Sequence, residues 1–399
     1  MKFLSLPQML QTSQEFVQWR PIQTKYWNIK MDEMSKLANE FETFSTSDSQ
    51  LYKEEKVKGK GAGCIATKDV KKGILILREA PQLLYPVQNQ TPTFEENFEQ
   101  LLFCINAFTE MSKKDQTSYL ELYNKFEDDK NTWSTYMEQH FSALKDMVKK
   151  MPIPNMKQEE AFKVIAIMDT NGFHNGVCLK MSRFNHSCQP NAQYFWNEDT
   201  NTRDMRTLRK IKQGEEITVS YIGSLLFSRE KRYAYLKDTY NFDCRCEACD
   251  LTEEEIEQEV KRFDEYKAEM LRKQQFKDAA KGARNGRAAQ ALMLSESRSL
   301  KNMYNIAKEI KTFGRRFFLY NIIEEAFDVS VQGALSAGCS ESAKATWMKE
   351  AKMFADVGLK CATTLNGADH SDTREWRERS VDPIKFFLKE FGGKMLVMK

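Results

Sequence analysis

The sequence predicts an α+β protein, in which a β-rich core is interrupted by a helical segment and followed by an all-helical C-terminal region. Residues 57–93 and 169–223 carry short runs of apolar and β-branched residues that are separated by glycine-containing turns. Residues 94–168 place apolar side chains three or four positions apart, as an amphipathic helix does. The same spacing recurs over residues 252–399, with a break expected over residues 282–289. It has no strict repeat period, but it fits successive helix hairpins like those of tetratricopeptide repeats.

Length and charge limit the classes of protein that fit. The chain has 399 residues, which is enough for two or three domains. Its 60 basic and 57 acidic side chains leave a net charge of +3, whereas a dedicated duplex-binding protein carries a larger or more clustered positive excess. Its apolar runs are far shorter than the roughly 20 residues of a membrane helix, and Pro7 interrupts the only apolar run near the N-terminus. We therefore expect no specific nucleic-acid binding, no membrane span and no signal peptide.

Three of the nine cysteines, Cys244, Cys246 and Cys249, fall within six residues. Zinc takes four thiolate or imidazole ligands in a tetrahedron, so this Cys-x-Cys-x2-Cys spacing needs one ligand from elsewhere. Cys188, which lies in a turn stiffened by Pro190, is the candidate. The sequence thus predicts one structural Zn²⁺, and the alternative is a set of free thiols without a metal. An odd number of cysteines without a signal peptide also favours a reducing compartment, the cytoplasm or the nucleus.

Four motifs, the last of which contains these three cysteines, follow one another along the chain. They are Lys60-Gly61-Ala62-Gly63, Arg183-Phe184-Asn185-His186-Ser187-Cys188, Gly214-Glu215-Glu216-Ile217-Thr218-Val219-Ser220-Tyr221 and Cys244-Arg245-Cys246-Glu247-Ala248-Cys249. In this order they resemble the motifs of SET-domain protein lysine methyltransferases. The resemblance covers residues 57–252 closely. The Thr170-Asn171-Gly172-Phe173 element, the Asp238-Thr239-Tyr240-Asn241-Phe242 segment and the helical C-terminus look most like the SMYD branch of that family.

The resemblance implies a β-rich SET fold and divides the chain into six segments. They are an N-terminal helical extension (1–56), the N-terminal part of the SET domain (57–93), a helical SET insertion (94–168), the C-terminal SET core (169–223), a zinc-binding post-SET segment (224–251) and a helical C-terminal domain (252–399). The SMYD branch also inserts a MYND zinc finger, which needs many cysteines and a histidine. Between Gly63 and Phe173 the sequence offers only Cys64, Cys104 and His140, so we expect that finger to be missing.

The resemblance further implies transfer of a methyl group from S-adenosylmethionine (SAM) to a lysine amine. It makes Tyr221 the catalytic residue and makes Phe173 and Tyr240 the walls of the substrate channel. The residues that it places along the cofactor are Lys60, Gly61, Ala62, Thr170, Asn171, Asn185, His186, Tyr240 and Phe242. An attacking lysine must be neutral although its reference pKa is about 10.4, and a narrow aromatic channel favours the neutral amine because it excludes water.

Each of these residues also has a purely structural interpretation. The glycine motif fits a plain hairpin turn, and Tyr221 and Tyr240 fit core packing with a hydrogen-bonded hydroxyl. A catalytically inactive SET-like scaffold and a zinc-stabilised nucleic-acid-binding protein are the competing functions. Retention of Asn185, His186 and Tyr221 argues against the scaffold, since a scaffold has no physical need for that set. The expected partners are a lysine-bearing histone or cytosolic protein and proteins bound by the C-terminal helices of a monomer.

Overall fold

The computed structural model describes residues 46–47, 51–84, 103–126, 156–173, 176–222, 228–283, 286–310, 314–336 and 339–395. The chain divides into two compact units. The core unit comprises Thr46–Arg78 and Phe184–Lys399, and the insertion unit comprises Met1–Ser45 and Glu79–Arg183. Most of the predicted N-terminal helical extension, residues 1–45 and 48–50, lies outside the described residues.

Two antiparallel sheets form the β-structure of the core unit. The first has the strand order β1 (Thr46–Ser47), β4 (Leu75–Glu79), β9 (Thr202–Thr207) and β8 (Ala192–Asn197). The second has the order β10 (Glu216–Ile217), β3 (Gly61–Ala66) and β2 (Tyr52–Val57). Val70 and Ile211 add an isolated antiparallel bridge.

The glycine-rich segment Gly59–Gly63, called the glycine turn below, closes a hairpin between β2 and β3: residues 58–60 form the turn itself, and Gly61, Ala62 and Gly63 begin β3. Gly59 and Gly61 both have φ of 75°, a left-handed conformation that glycine adopts without steric cost. Strand β2 begins at Tyr52, before the predicted start of the SET segment at residue 57. Its interior is a run of exposed lysines and glutamates, which have low strand propensity, and pairing with β3 overrides that preference.

Alternation and β-branched residues over residues 216–221 predict a strand of that length, and the strand is shorter in the structure. Only Glu216–Ile217 pairs with β3. Val219 instead forms a parallel bridge with His186, and its N–H donates to Asn185 O at 3.0 Å. The chain leaves the sheet at this point because its backbone hydrogen bonds change partner. The segment that leads to Tyr221 is thereby joined to the Asn-His motif.

Three helices and a small sheet make up the described part of the insertion unit. The helices are α1 (residues 103–110), α2 (Lys113–Leu120) and α3 (Gln158–Asn171). The sheet has the order β5 (Leu83–Leu84), β7 (Gly176–Val177) and β6 (Gly172–Phe173), and a 3₁₀ helix follows at Met181–Arg183. The buried Tyr119 hydroxyl donates to Val164 O at 2.8 Å and fixes α2 against α3. Helices in this segment agree with the predicted helical insertion.

The core unit continues into seven helices along its described C-terminal part. They are α4 (Arg229–Tyr240), α5 (Glu253–Lys281), α6 (Gly286–Glu309), α7 (Gly314–Leu335), α8 (Glu341–Asn366), α9 (Ser371–Val381) and α10 (Pro383–Met395). A break between α5 and α6 is confirmed, but it is shorter than the predicted range of residues 282–289 because α6 begins at Gly286. A capping box of Thr252 and Glu255 starts α5 and satisfies backbone donors of its first turn. Among the helices described, none is both long enough and apolar enough to cross a membrane.

Candidate functional site

The glycine turn and the Asn-His segment meet in the core unit. The Asn185 Nδ2 atom donates to Ala62 O and to Glu216 Oε1, both at 2.9 Å. This approach needs a glycine at position 63, since a Cβ there would lie 2.6 Å from Asn185 Nδ2. The predicted cofactor residues of the turn are therefore direct neighbours of Asn185, although 123 residues separate Ala62 from Asn185.

His186 is buried, and both of its ring nitrogens have partners. Its Nδ1 accepts a hydrogen bond from the Tyr221 backbone N–H at 2.9 Å. A peptide N–H can only donate, so Nδ1 carries no proton and the proton of the neutral ring is on Nε2. That Nε2 lies 3.3 Å from Cys188 Sγ, to which it donates. His186 thus connects the segment of Tyr221 with the cysteine cluster.

Tyr221, the predicted catalytic residue, is fixed by its side chain as well. Its hydroxyl donates to Phe184 O at 2.8 Å. Burial raises the pKa of Tyr221 above its ordinary value, with smaller contributions from Tyr194 and Glu216. The phenol is therefore neutral at physiological pH. It can orient an amine by hydrogen bonding, whereas a phenolate base is disfavoured.

Two more predicted aromatic residues lie beside Tyr221. Tyr240 is the last residue of α4, and the following Asn241 has φ of 56°, a left-handed conformation that asparagine tolerates. This turn places the rings of Tyr240 and Phe242 with centroids 5.0 and 6.4 Å from that of Tyr221. Phe242 also lies 5.9 Å from the His186 ring. All three aromatic rings are only partly buried, so they can contact a ligand.

The four predicted metal ligands converge. The Sγ atoms of Cys188, Cys244, Cys246 and Cys249 all lie within 4.8 Å of one another. Four sulfurs bound at about 2.3 Å to one tetrahedral ion would be about 3.8 Å apart, so small adjustments complete a zinc site. Hydrogen bonds among the four thiols lower the pKa values of Cys244 and Cys246 and raise those of Cys188 and Cys249, so the four groups titrate together.

Basic side chains lie close to this cluster. The buried Arg232 donates to Ala248 O at 2.7 Å and pairs with Glu259 Oε1 at 3.1 Å. Arg229 donates to Cys249 O at 2.7 Å. Four thiolates around a Zn²⁺ carry a net charge of −2, and nearby guanidinium groups offset such a charge. The donor set and its surroundings therefore fit a structural zinc ion without an open position for water.

Three predicted residues lie in the insertion unit. Thr170 and Asn171 end α3, and Phe173 lies in β6. The Lys125 N–H donates to Thr170 Oγ1 at 3.4 Å, and Asn171 Nδ2 donates to Tyr123 O at 2.7 Å. These bonds hold the end of α3 against the segment after α2. Cofactor contacts of Thr170 and Asn171, and the channel role of Phe173, stay predictions.

Glu216 was not singled out from the sequence. Its Oε2 accepts from Lys60 Nζ at 2.6 Å, and its Oε1 accepts from Asn185. The preceding Glu215 pairs instead with Arg209 at 2.5 Å. Glu215 precedes β10 and Glu216 begins it, so the Gly-Glu-Glu sequence alone does not show which glutamate contacts the glycine turn, and the distant partners Lys60 and Asn185 decide this.

The fold and this site define a class of protein. Residues 61–222 match the model of the SET domain, and these bounds include Gly61–Gly63, the Asn-His segment and Tyr221. The chain therefore contains a SET domain, with a cysteine cluster and a helical region after it. This agrees with the resemblance that its motifs carry.

Named relatives of the chain also contain SET domains or are named lysine methyltransferases. A putative SET domain-containing protein of Acanthamoeba polyphaga mimivirus is 28% identical over 220 residues, which are 53% of this chain and 82% of the viral protein. Histone-lysine N-methyltransferase set5 of Schizosaccharomyces pombe is 26% identical over 52% of this chain and 53% of its own length. Mouse histone-lysine N-methyltransferase SMYD3 is 32% identical over 23% of this chain, and the match spans 24% of SMYD3. The relatives thus support a lysine methyltransferase family.

Proposed function

We propose that the protein is a SAM-dependent protein-lysine N-methyltransferase. The observation that carries the proposal is the assembly of Asn185, His186 and Tyr221 beside the rings of Tyr240 and Phe242 within one unit. Core packing alone does not explain why polar groups of the Asn-His segment and partly exposed aromatic rings meet at one place. A methyl transfer site needs both.

The residues around Asn185 fit the methyl donor SAM. A Cβ at Gly61 would meet no atom within 4 Å, so the turn is open on that side. Asn185 Oδ1 accepts no hydrogen bond from the residues that the structure describes, which leaves an acceptor for an amino group. Aromatic faces attract cations such as a sulfonium. SAM would therefore be held by the glycine turn, Asn185, the backbone at His186 and the Phe242 ring, and it supplies an activated methyl group when bound.

The chain's own residues then position the acceptor. Tyr221 and Tyr240 exclude water from an incoming lysine, which lowers its pKa and favours the neutral amine. The Tyr221 oxygen accepts weak C–H hydrogen bonds from polarised methyl groups, which adds orientation. Holding the amine in line with the methyl group supplies rate by proximity. We also propose one Zn²⁺ bound by Cys188, Cys244, Cys246 and Cys249. Its role is structural, and it takes no part in the methyl transfer.

We propose a lysine-bearing histone or cytosolic protein as the substrate, in the cytoplasm or the nucleus. Two relatives are named histone-lysine N-methyltransferases, which makes histones the first substrates to try. The C-terminal helices are the proposed surface for protein partners.

The test combines binding and transfer. Purified protein is titrated with SAM and with S-adenosylhomocysteine (SAH) in a calorimeter, and is then incubated with labelled SAM and a panel of histones and cytosolic proteins. We expect binding and label transfer by the wild type, and loss of SAH binding in Asn185→Ala. Absence of SAM and SAH binding would overturn the proposal and favour the inactive scaffold.

A further inference from the structure

Glu216 occupies the point where three segments of the site meet. Its backbone is in β10, which pairs with β3 directly after the glycine turn. One carboxylate oxygen accepts from Lys60 Nζ at 2.6 Å, and the other accepts from Asn185 Nδ2 at 2.9 Å. A single side chain therefore connects two residues that are predicted to hold the cofactor.

This ion pair differs from an ordinary surface pair. The Glu216 side chain is only 17% exposed, whereas that of Lys60 is 41% exposed. The space that the carboxylate fills exists because position 63 is a glycine, where a Cβ would lie 3.1 Å from Glu216 Oε1 and closer still to Asn185. Surface pairs need no such cavity. The carboxylate is thus built into the turn, and Lys60 comes to it from the solvent side.

We propose that Glu216 is a positioning residue for the methyl donor, acting through Lys60 and Asn185. This inference rests on the proposed methyltransferase function and goes beyond it by assigning a role to a residue outside the predicted contacts. A free lysine side chain samples many rotamers, and holding it in one place before the ligand arrives lowers the entropic cost of binding. The same carboxylate orients the Asn185 amide, so that Nδ2 is occupied and Oδ1 can accept a hydrogen bond from the methyl donor.

The role predicts a specific kinetic signature. If Lys60 and Asn185 hold parts of the ligand that SAM and SAH share, loss of Glu216 weakens the binding of both ligands equally. It does not change the alignment of the amine with the methyl group, which Tyr221 and Tyr240 control. The KM for SAM therefore rises while kcat changes little, as expected when binding is lost equally in ground and transition states.

The test compares Glu216→Gln with the matched control Glu215→Gln. Glu215 is the adjacent residue of the same type, and it binds Arg209 and the Lys212 N–H instead. We expect Glu216→Gln to raise the KM for SAM and the Kd for SAH about fivefold, less than for loss of a fully buried charged hydrogen bond because Lys60 is partly exposed. Glu216→Asp, which keeps the charge, restores part of the affinity. Glu215→Gln lowers the melting temperature but leaves the Kd for SAH unchanged.

A double-mutant cycle with Lys60→Met completes the experiment. We expect Glu216→Gln to weaken SAH binding less in the Lys60→Met background than in the wild type, because one of its two partners is gone. An unchanged Kd in Glu216→Gln, beside a wild type that binds SAH, overturns this inference and leaves the proposed function intact. An equal fall of kcat and affinity together with a lower melting temperature also overturns it, since that result indicates a structural role. A wild type that binds neither SAM nor SAH overturns both.

Discussion

Tyr221 is held at two points by two different parts of the Asn-His segment. Its backbone N–H donates to the His186 ring, and its hydroxyl donates to the Phe184 carbonyl. The residue is thus fixed in rotamer and in backbone position, and its ring faces Tyr240 and Phe242. A tyrosine packed in the core also bonds its hydroxyl, so the two anchors fit both interpretations of Tyr221. They fix the place of one oxygen atom, on which the proposed catalytic role depends.

The first prediction concerns that oxygen. In Tyr221→Phe the ring contacts remain, and we expect methyl transfer to fall about a hundredfold, the lower end for loss of a positioned polar group in catalysis. The Kd for SAH stays within about twofold of the wild type, and stability falls by about 1 kcal/mol through the lost hydrogen bond. Label transfer, calorimetry and urea unfolding measure the three quantities. Transfer at the wild-type rate would remove Tyr221 from the mechanism.

Among the secondary-structure elements and their side chains, those set by local chemistry are predictable from the sequence, and those set by distant partners are not. The cysteine spacing and the turn at Cys188 predicted a four-sulfur cluster, because ligand chemistry restricts residue types strongly. Strand β2 was missed, since the charged residues that form it hide its pairing with β3. The strand towards Tyr221 was predicted too long, because its end pairs with His186, more than 30 residues away along the chain. Glu216 was missed for the same reason.

The second prediction concerns the cluster that follows α4. We expect one zinc ion per chain by elemental analysis of the wild type, and less than one in Cys246→Ser. The melting temperature of that variant falls by several degrees or more, because metal binding free energy is folding free energy for such a segment. SAH affinity falls as well, since Tyr240 and Phe242 precede the cysteines directly. Cys339→Ser, which changes a cysteine outside the cluster, serves as the control and keeps its zinc. A wild type without zinc would contradict the proposed site.

The third prediction concerns Glu79, which is the last residue of β4 and belongs to the insertion unit. Glu79 Oε1 accepts from the Lys180 N–H at 2.9 Å, and Oε2 accepts from the Met181 N–H at 2.8 Å. Burial raises the pKa of Glu79 to about 7. The folded state therefore binds this proton more tightly than the unfolded chain does. The contribution of protonated Glu79 to the free energy of unfolding is therefore complete below the ordinary pKa near 4.5. It is lost as the pH rises through 7.

We accordingly expect the free energy of unfolding of the full chain to fall between pH 5 and pH 8, and Glu79→Gln to reduce that fall. Urea unfolding at several pH values measures the slope for both proteins. Glu121→Gln provides a control, because the Glu121 side chain is exposed in the same unit. Identical slopes in the wild type and Glu79→Gln would show that the proton on Glu79 does not contribute.

At the scale of the whole core unit, the C-terminal helices are attached to the sheet of β8 and β9. The Arg374 guanidinium pairs with Asp199 at 3.1 Å, and His370 Nε2 lies 3.3 Å from Trp196 O. Gly367, which ends α8, has φ of 96° and leaves room for the Arg206 side chain. These contacts join residues that lie more than 160 positions apart, so no periodicity in the sequence predicts them. The helical region is thus part of the same folded unit as the candidate site.

The last prediction tests how closely those helices pack. A Cβ at Gly358 in α8 would overlap the ring of Trp376 in α9, which is buried among aromatic neighbours. Overpacking of this kind costs about 1–3 kcal/mol, so we expect Gly358→Ala to unfold at a lower urea concentration than the wild type. Gly282→Ala is the matched control, because its Cβ would lie 3.7 Å from the nearest atom and its φ of −91° suits any residue. That variant should equal or slightly exceed the wild type in stability, since alanine reduces the entropy of the unfolded chain. Equal unfolding midpoints for the two variants would contradict the close contact between α8 and α9.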